Sequence, residues 1–298
     1  METTAPRDDS VVYLNGEFLP LSKAHISPLD RGFIFADGVY EVIPVYSRRV
    51  FRLEDHLQRL DGSLAGIRLA NPRSHPQWTR IILELVRRSL HEDQSLYLQV
   101  TRGVAKRDHA FPKDVAPTVF LMTNPLSVPT QEAVDNGVAA VTLLDNRWLR
   151  CDLKTVALLA NVLLRQQALD AGAVEAVLLR DGFLTEGAAS NIFAVKDGVL
   201  LIPPKSHLIL PGITYDVILE LAQTHGIRCE IREVSEAEVR SAQELWLSSS
   251  TREVLAITRL DGKAVGDGRP GPLFRRMYAL FQDLKSQVRR TPEPQTHA

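Results

Sequence analysis

Apolar side chains recur along the chain with two periods, and the period changes mark the elements. Near the start, VVYLNGEFLP alternates on either side of Asn15-Gly16, the pattern of a hairpin closed by a two-residue turn. GVYEVIPVYSRRVFRL, from Gly38, alternates enough for two strands joined near Ser47-Arg48-Arg49. Leu53, Leu57, Leu60, Leu64 and Ile67 then recur at helical spacing, and Trp78, Ile81, Ile82, Leu85 and Val86 mark a second amphipathic helix. SLYLQVTRG and TVFLMTNPL read as strands. Strands followed by helices make this half an α+β unit.

PLSVPTQEA, from Pro125, sets two prolines between periodic segments and predicts a linker. The expected division is a smaller N-terminal α+β domain over 1–125, a linker over 126–133 and a larger domain over 134–298. In the second part VAAVTLLD is a strand. Asp181-Gly182, Asp197-Gly198 and Asp261-Gly262 are each flanked by apolar alternation and predict three hairpins. ITYDVILELAQTHG predicts a helix ended by Gly226, and Leu273, Met277, Leu280, Phe281 and Leu284 a closing helix. No internal repeat or low-complexity segment interrupts this order.

Composition narrows the function classes. A formal net charge of -1 over 298 residues points away from nucleic acid or an anionic membrane as partner. The two cysteines, Cys151 and Cys229, have neither disulfide nor metal spacing, which fits a reducing cytoplasm. METTAPRDDS lacks the apolar core of a signal peptide, and no apolar run approaches the roughly 20 residues of a membrane helix. Both polar ends, METTAPRDDS and TPEPQTHA, are expected to fray.

One stretch raises a chemical question. In RWLRCDLKTVALLANVLL, Lys154 stands at the mouth of the apolar run Val156, Ala157, Leu158, Leu159 and Val162. Burial disfavours an ammonium group. Lys154 is therefore either a nucleophilic amine or a helix-start lysine that snorkels to water. TEGAASNIFAV, from Thr185, offers Glu186 as a turn carboxylate or as a counter-charge for a cationic ring nitrogen, with Gly187, Ala188 and Ala189 small enough for a flat ligand to lie close. LPGITYDVI opens a helix. Gly212 frees the turn, Thr214 can cap, and the N–H groups of Ile213 and Thr214 suit either plain capping or an anion such as phosphate. LSSSTREV, with Ser249 and Ser250, reads as turn residues or as part of the same anion cup. In VTRGVAKRDHAFP, Arg107 and His109 project to one side of an extended segment and form either a carboxylate trap or a solvated basic loop. Arg59 snorkels beside its helix stripe or reaches a phosphate. No G-x-S-x-G, Walker loop, H-E-x-x-H or paired C-x-x-C competes, and LAGIRLA lacks the Rossmann glycines.

DRGFIFADGVYEV, HLQRL, QVTRG with RDHAFP, RWLRCDLK, TEGAASN, GIT and SSSTREV stand in one order from Asp30 to Val254. In that order the chain resembles the fold type IV pyridoxal-phosphate enzymes, and within them is most similar to the D-amino acid aminotransferases. The resemblance implies a two-domain α+β fold with a smaller N-terminal α/β sandwich and a larger β-rich pseudo-barrel with flanking helices. It implies that Lys154 forms the Schiff base with pyridoxal 5'-phosphate and serves as general acid/base. It sets Glu186 on the pyridine nitrogen, Arg59, Ile213, Thr214, Ser249 and Ser250 on the phosphate, and Tyr40, Arg107 and His109 on the substrate carboxylate. The trap loop would come from the neighbouring subunit of a homodimer, and the expected reaction is ping-pong transamination of D-amino acids with 2-oxo acids.

Two departures stand out. Relatives often read PRAH where this chain has Lys106-Arg107-Asp108-His109, and alanines replace serines in TEGAASN. Among the alternatives, branched-chain L-amino acid aminotransferases rank second, because their FEGIR-like stretch is VYEVIPV here. (R)-selective amine transaminases and aminodeoxychorismate lyases follow. A non-catalytic relative would be expected to have lost Lys154 or Glu186.

Overall fold

The structure, a computed structural model, describes residues 10–291. The two ends expected to fray lie largely outside those residues. The chain divides into two compact units, one of Met1–Leu126, Leu153–Ala157 and Gln287–Ala298, the other of Ser127–Asp152 and Leu158–Ser286.

The first unit is built on an antiparallel sheet of β1 (Val11–Leu14), β2 (Glu17–Pro20), β3 (Gly38–Tyr46), β4 (Arg49–Val50), β5 (Gln94–Thr101) and β6 (Thr118–Pro125), in the order β2-β1-β6-β5-β3-β4. Asn15 and Gly16 close the first hairpin at positive φ. Helix α1 (Arg31–Phe35) precedes β3, and α2 (Leu53–Gly66) and α3 (His75–Arg88) join β4 to β5. Alternate residues of the sheet, Val39, Ile43 and Val45 with Leu96, Leu98 and Val100, form one cluster with Leu57, Leu60, Leu64, Trp78, Ile82 and Leu85 of the two helices. Burying each such side chain contributes about 1.5–3 kcal/mol. The α3 start is set by a capping box between Ser74 and Gln77.

Strand β4 covers only the far end of β3. The open edge at Gly38–Tyr40 is filled by a distant segment: Tyr40 N–H donates to the Lys154 carbonyl at 2.9 Å, and Val156 N–H to the Gly38 carbonyl at 3.0 Å. Lys154 therefore lies in an extended segment on a strand edge, ahead of α5 (Leu159–Asp170), and does not start that helix. A division by chain position separates this segment from the strands that hold it.

In the second unit the strands are β7 (Val138–Leu144), β8 (Glu175–Arg180), β9 (Phe183–Gly187), β10 (Asn191–Lys196), β11 (Val199–Ile202), β12 (Cys229–Ile231), β13 (Glu244–Ser249), β14 (Glu253–Leu260) and β15 (Lys263–Ala264). Their order is β12-β11-β10-β13-β14-β7-β8-β9, with β15 on β14. The three Asp-Gly pairs turn their hairpins with both residues at positive φ, as the sequence predicts. The sheet curls until Gly187 N–H, at the end of β9, reaches the Ser190 carbonyl just before β10. Helices α4 (Gln131–Asn136), α6 (Ile213–Thr224), α7 (Glu236–Arg240) and α8 (Pro272–Arg290) complete the α+β fold, α4 starting inside the segment read as a linker. The apolar run after Lys154 is not core. Helix α5 buries Leu164 and Ala168, while Leu159, Val162 and Leu163 stay exposed.

Candidate active site

The first unit gathers one charged cluster around Tyr40 and Lys154. Strand alternation sends Tyr40 and its neighbour Glu41 to opposite faces. Tyr40 lies beside Tyr97, with ring centroids 5.7 Å apart, and Lys154 Nζ sits 4.2 Å from the Tyr40 ring centroid. Glu41, fully buried, meets His56 and Arg59, three residues apart on one face of α2. Arg59 donates through Nε to Oε1 at 2.8 Å and through Nη2 to Oε2 at 2.7 Å. His56 Nδ1 lies 2.7 Å from Oε2. Burial pushes the Glu41 carboxyl up, but Arg59 and His56 overcome it and hold the group at about 2. Burial also lowers the His56 pKa, so its ring is neutral and donates to the carboxylate.

The connection from β5 to β6 carries Arg107 and His109, both exposed. The two are brought together on Phe35: the His109 ring is 5.2 Å from it, and the Arg107 guanidinium 5.2 Å from its centroid. Asp108 turns away and accepts from Ala110 N–H at 3.1 Å. Among the described residues Arg107 has no carboxylate partner, and no hydrogen bond or ring contact joins Tyr40 to Arg107 or His109.

The second unit holds a buried acid chain. Glu186 Oε1 accepts from Arg147 Nη1 at 2.5 Å, and Oε2 from Asn191 Nδ2 and Leu210 N–H, each at 3.1 Å. Behind it Arg147 forks onto Asp145, which also takes Thr185 and Arg180. Burial pushes the Glu186 carboxyl up to about 7 in spite of Arg147. A carboxyl so poised shares a proton readily with a neighbouring base. Asn191 also donates to the Leu210 carbonyl at 3.0 Å, which fixes the approach to α6.

At that helix start Gly212 is the N-cap, in ordinary extended conformation and with no side-chain cap. Its requirement is space, not freedom: a Cβ would meet Asn191 Oδ1 at 2.1 Å. Thr214 lies inside the first turn and is not the cap. The N–H groups of Ile213 and Thr214 thus head the helix without a side-chain acceptor, the arrangement that receives anions. Ser249 Oγ accepts from Arg252 N–H at 3.1 Å and sets the turn that carries Ser250. Glu41, His56, Arg147 and Asn191 were not singled out in the sequence. The i, i+3 spacing of His56 and Arg59 was a usable signal for the first pair, whereas Arg147 and Asn191 are known only by the contacts they make. Among the described residues no group of side chains suits a metal ion.

The chain resembles known proteins both in sequence and in fold. The profile of the family described as amino-transferase class IV matches residues 38–260. The D-alanine aminotransferase of Bacillus licheniformis is 40% identical over 272 residues, covering 91% of this chain and 96% of its own. Among solved structures, the branched-chain amino acid aminotransferase of Escherichia coli superposes with a TM-score of 0.87 at 26% identity, covering 93% of this chain and 94% of the other. A hypothetical aminotransferase from Mycobacterium tuberculosis in its PLP-bound form does so with a TM-score of 0.81 at 26% identity, covering 93% and 99%.

Proposed function

The chain belongs to the class IV aminotransferases, pyridoxal-phosphate-dependent enzymes, and from that premise we propose that it moves amino groups between D-amino acids and 2-oxo acids. The observation that carries the substrate reading is the Arg107–His109 pair spread over Phe35, with Asp108 turned onto its own backbone. A guanidinium without a carboxylate partner beside an imidazole is a receptor for an α-carboxylate. The likeness to a D-alanine aminotransferase supports the same choice.

The donor set suits the cofactor. An uncapped helix start suits a phosphate, and a buried carboxyl near neutrality suits a ring nitrogen. Bound pyridoxal phosphate supplies an aldehyde that takes up the amino group and a ring that accepts the electron pair released at the substrate's α-carbon. Lys154 Nζ is the amine that would hold the cofactor through its aldehyde carbon. Once released, the same amine would serve as the general base that takes the proton from the substrate Cα. Glu186 holds the proton on the ring nitrogen, with Arg147 and Asn191 fixing the carboxyl in place. Arg59, the N–H groups of Ile213 and Thr214, and the hydroxyls of Ser249 and Ser250 hold the phosphate. Glu41 takes two of the five N–H donors of the Arg59 guanidinium and so fixes its plane.

Arg107, His109 and Tyr40 grip the α-carboxylate. With the carboxylate fixed, one enantiomer alone turns its Cα–H toward Lys154 Nζ, which gives handedness. Release of the first 2-oxo acid before the second binds would make the kinetics ping-pong. The absence of a contact from Tyr40 to Arg107 or His109 supports a homodimer in which this loop serves the neighbouring subunit. Exposed Leu159, Val162 and Leu163 supply apolar surface for such a partner. The two free thiols suit the cytoplasm.

The test is the visible absorbance of the cofactor-loaded protein. D-Alanine should bleach it, and L-alanine and L-leucine should not. Bleaching by L-leucine alone would favour the branched-chain reading, which the Escherichia coli structural likeness supports, and would sink the carboxylate role of Arg107 and His109.

A further inference from the structure

We propose that Arg31 and Phe35 of α1 are positioning residues that hold the Arg107–Ala110 loop in the shape that binds a substrate carboxylate. The inference rests on the trap role of Arg107 and His109 proposed above, and adds what gives that trap its geometry.

Helix α1 is clasped to both stalks of the loop. The carboxylate of Asp30, its N-cap, accepts from Gly32 N–H at 2.8 Å, from Thr101 Oγ1 at 2.7 Å and from Thr118 Oγ1 at 2.6 Å. Thr101 ends β5 and Thr118 begins β6, so one buried carboxylate ties α1 to the exit and the return of the connection. Arg31 N–H donates to the Gly103 carbonyl at 2.9 Å. Gly32 allows the approach, since a Cβ there would meet Thr101 Cγ2 at 2.3 Å.

From this base the Arg31 side chain, 4% exposed, runs under the loop. Its Nε binds Asp37 Oδ2 at 2.8 Å. Nη1 donates to the Asp108 carbonyl at 2.5 Å and the Ala110 carbonyl at 3.3 Å, and Nη2 to the His109 carbonyl at 3.5 Å. One rigid guanidinium thus organises three successive carbonyls. Contacts to backbone set the course of the chain, and the course aims the side chains of Arg107 and His109. Phe35 is the plate between them, with Arg31 itself 4.9 Å from the same ring centroid.

Asp37 locks the assembly. It also binds Arg102 Nε at 2.8 Å and Nη2 at 3.0 Å, and the Arg102 guanidinium lies 3.8 Å over the Phe111 ring at the far side of the loop. An exposed loop held this way has its ordering cost met before substrate arrives. Without Arg31 the loop spreads over many shapes, and apparent affinity falls with the fraction that remains competent.

The experiment measures steady-state kinetics with D-alanine and trypsin nicking after Lys106 and Arg107 for Arg31→Gln, Arg31→Lys, Phe35→Leu and Arg107→Ala. Arg31→Gln should raise KM about tenfold while kcat stays within about twofold, and should speed nicking at Lys106. Arg31→Lys keeps the charge without the fork and should fall between. In the double variant Arg31→Gln with Arg107→Ala, the KM effects should not add, because Arg31 acts through Arg107.

Unchanged KM and nicking in Arg31→Gln, with KM raised in Arg107→Ala, would overturn the positioning role and leave the trap standing. Unchanged KM in Arg107→Ala would overturn the trap, and the positioning role with it. Should Arg31→Gln fail to fold, Arg31→Lys and Phe35→Leu carry the same readings. Unchanged KM and nicking in both would overturn the proposal.

Discussion

Single residues decide the proton chemistry of this chain, and two buried glutamates do so with opposite signs. Glu41 is held at about 2 against 4.5 for an unperturbed glutamate, because Arg59 and His56 outweigh its burial. Its contribution to stability is complete above pH 4.5 and is lost as the pH falls toward 2, a window worth roughly 3 kcal/mol. Glu41→Gln should therefore lower stability at neutral pH, the more so because it strands a buried Arg59, and should flatten the acid limb between pH 4.5 and 2. Denaturant unfolding across that range measures it, and an unaltered acid slope would contradict the assignment. Glu186 runs the other way. Burial raises it to about 7, so in the cofactor-free chain its contribution is present below pH 4.5 and is lost as the pH rises through 7.

At the scale of elements, helix starts and strand edges place the chemistry. The start of α6 approaches Asn191 so closely that only glycine fits at 212, and Asn191 in turn holds Glu186. Gly212→Ala must displace the Asn191 amide from its two acceptors. Loosening the phosphate and ring-nitrogen ends together, it should weaken pyridoxal-phosphate binding by about fivefold or more, each lost hydrogen bond costing on the order of 1 kcal/mol. Titration of the cofactor-free protein by absorbance checks this, and an unchanged Kd would show that the amide has room to move. The open edge of β3 likewise explains Lys154, whose backbone completes a ladder that β4 leaves short.

For the whole molecule, the apolar side chains that α5 leaves in solvent are where the proposed dimer can be tested. Leu159 is 72% exposed, so a charge there leaves each subunit's core intact. Leu159→Glu should convert the proposed dimer to monomers and, by withdrawing the neighbour's loop, abolish transamination. Light scattering and activity read the two effects. Monomers with full activity would refute the shared site.

Local periodicity was enough for most elements. The hairpins at Asn15-Gly16, Asp181-Gly182, Asp197-Gly198 and Asp261-Gly262, and the stripes of α2, α3, α6 and α8, are visible in the sequence because turn chemistry and amphipathic spacing act over a few neighbouring residues. The candidate cofactor and substrate residues were also named from motifs, since each motif is contiguous. What the sequence did not disclose depends on contacts between distant segments. The five residues of α1 are too few for a periodic signal, yet α1 organises the loop with Arg107. Gly212 reads in sequence as freeing the turn, whereas the close approach of Asn191 is what requires it. The apolar run after Lys154 gives no sign of its orientation, and α5 turns much of it outward. By itself the sequence determined the longer elements, the hairpin turns and the candidate motifs, because those follow from near neighbours. Tertiary structure alone decided which carboxylate meets which guanidinium, and hence the charge each one carries, because desolvation and pairing are set by residues far apart in the chain.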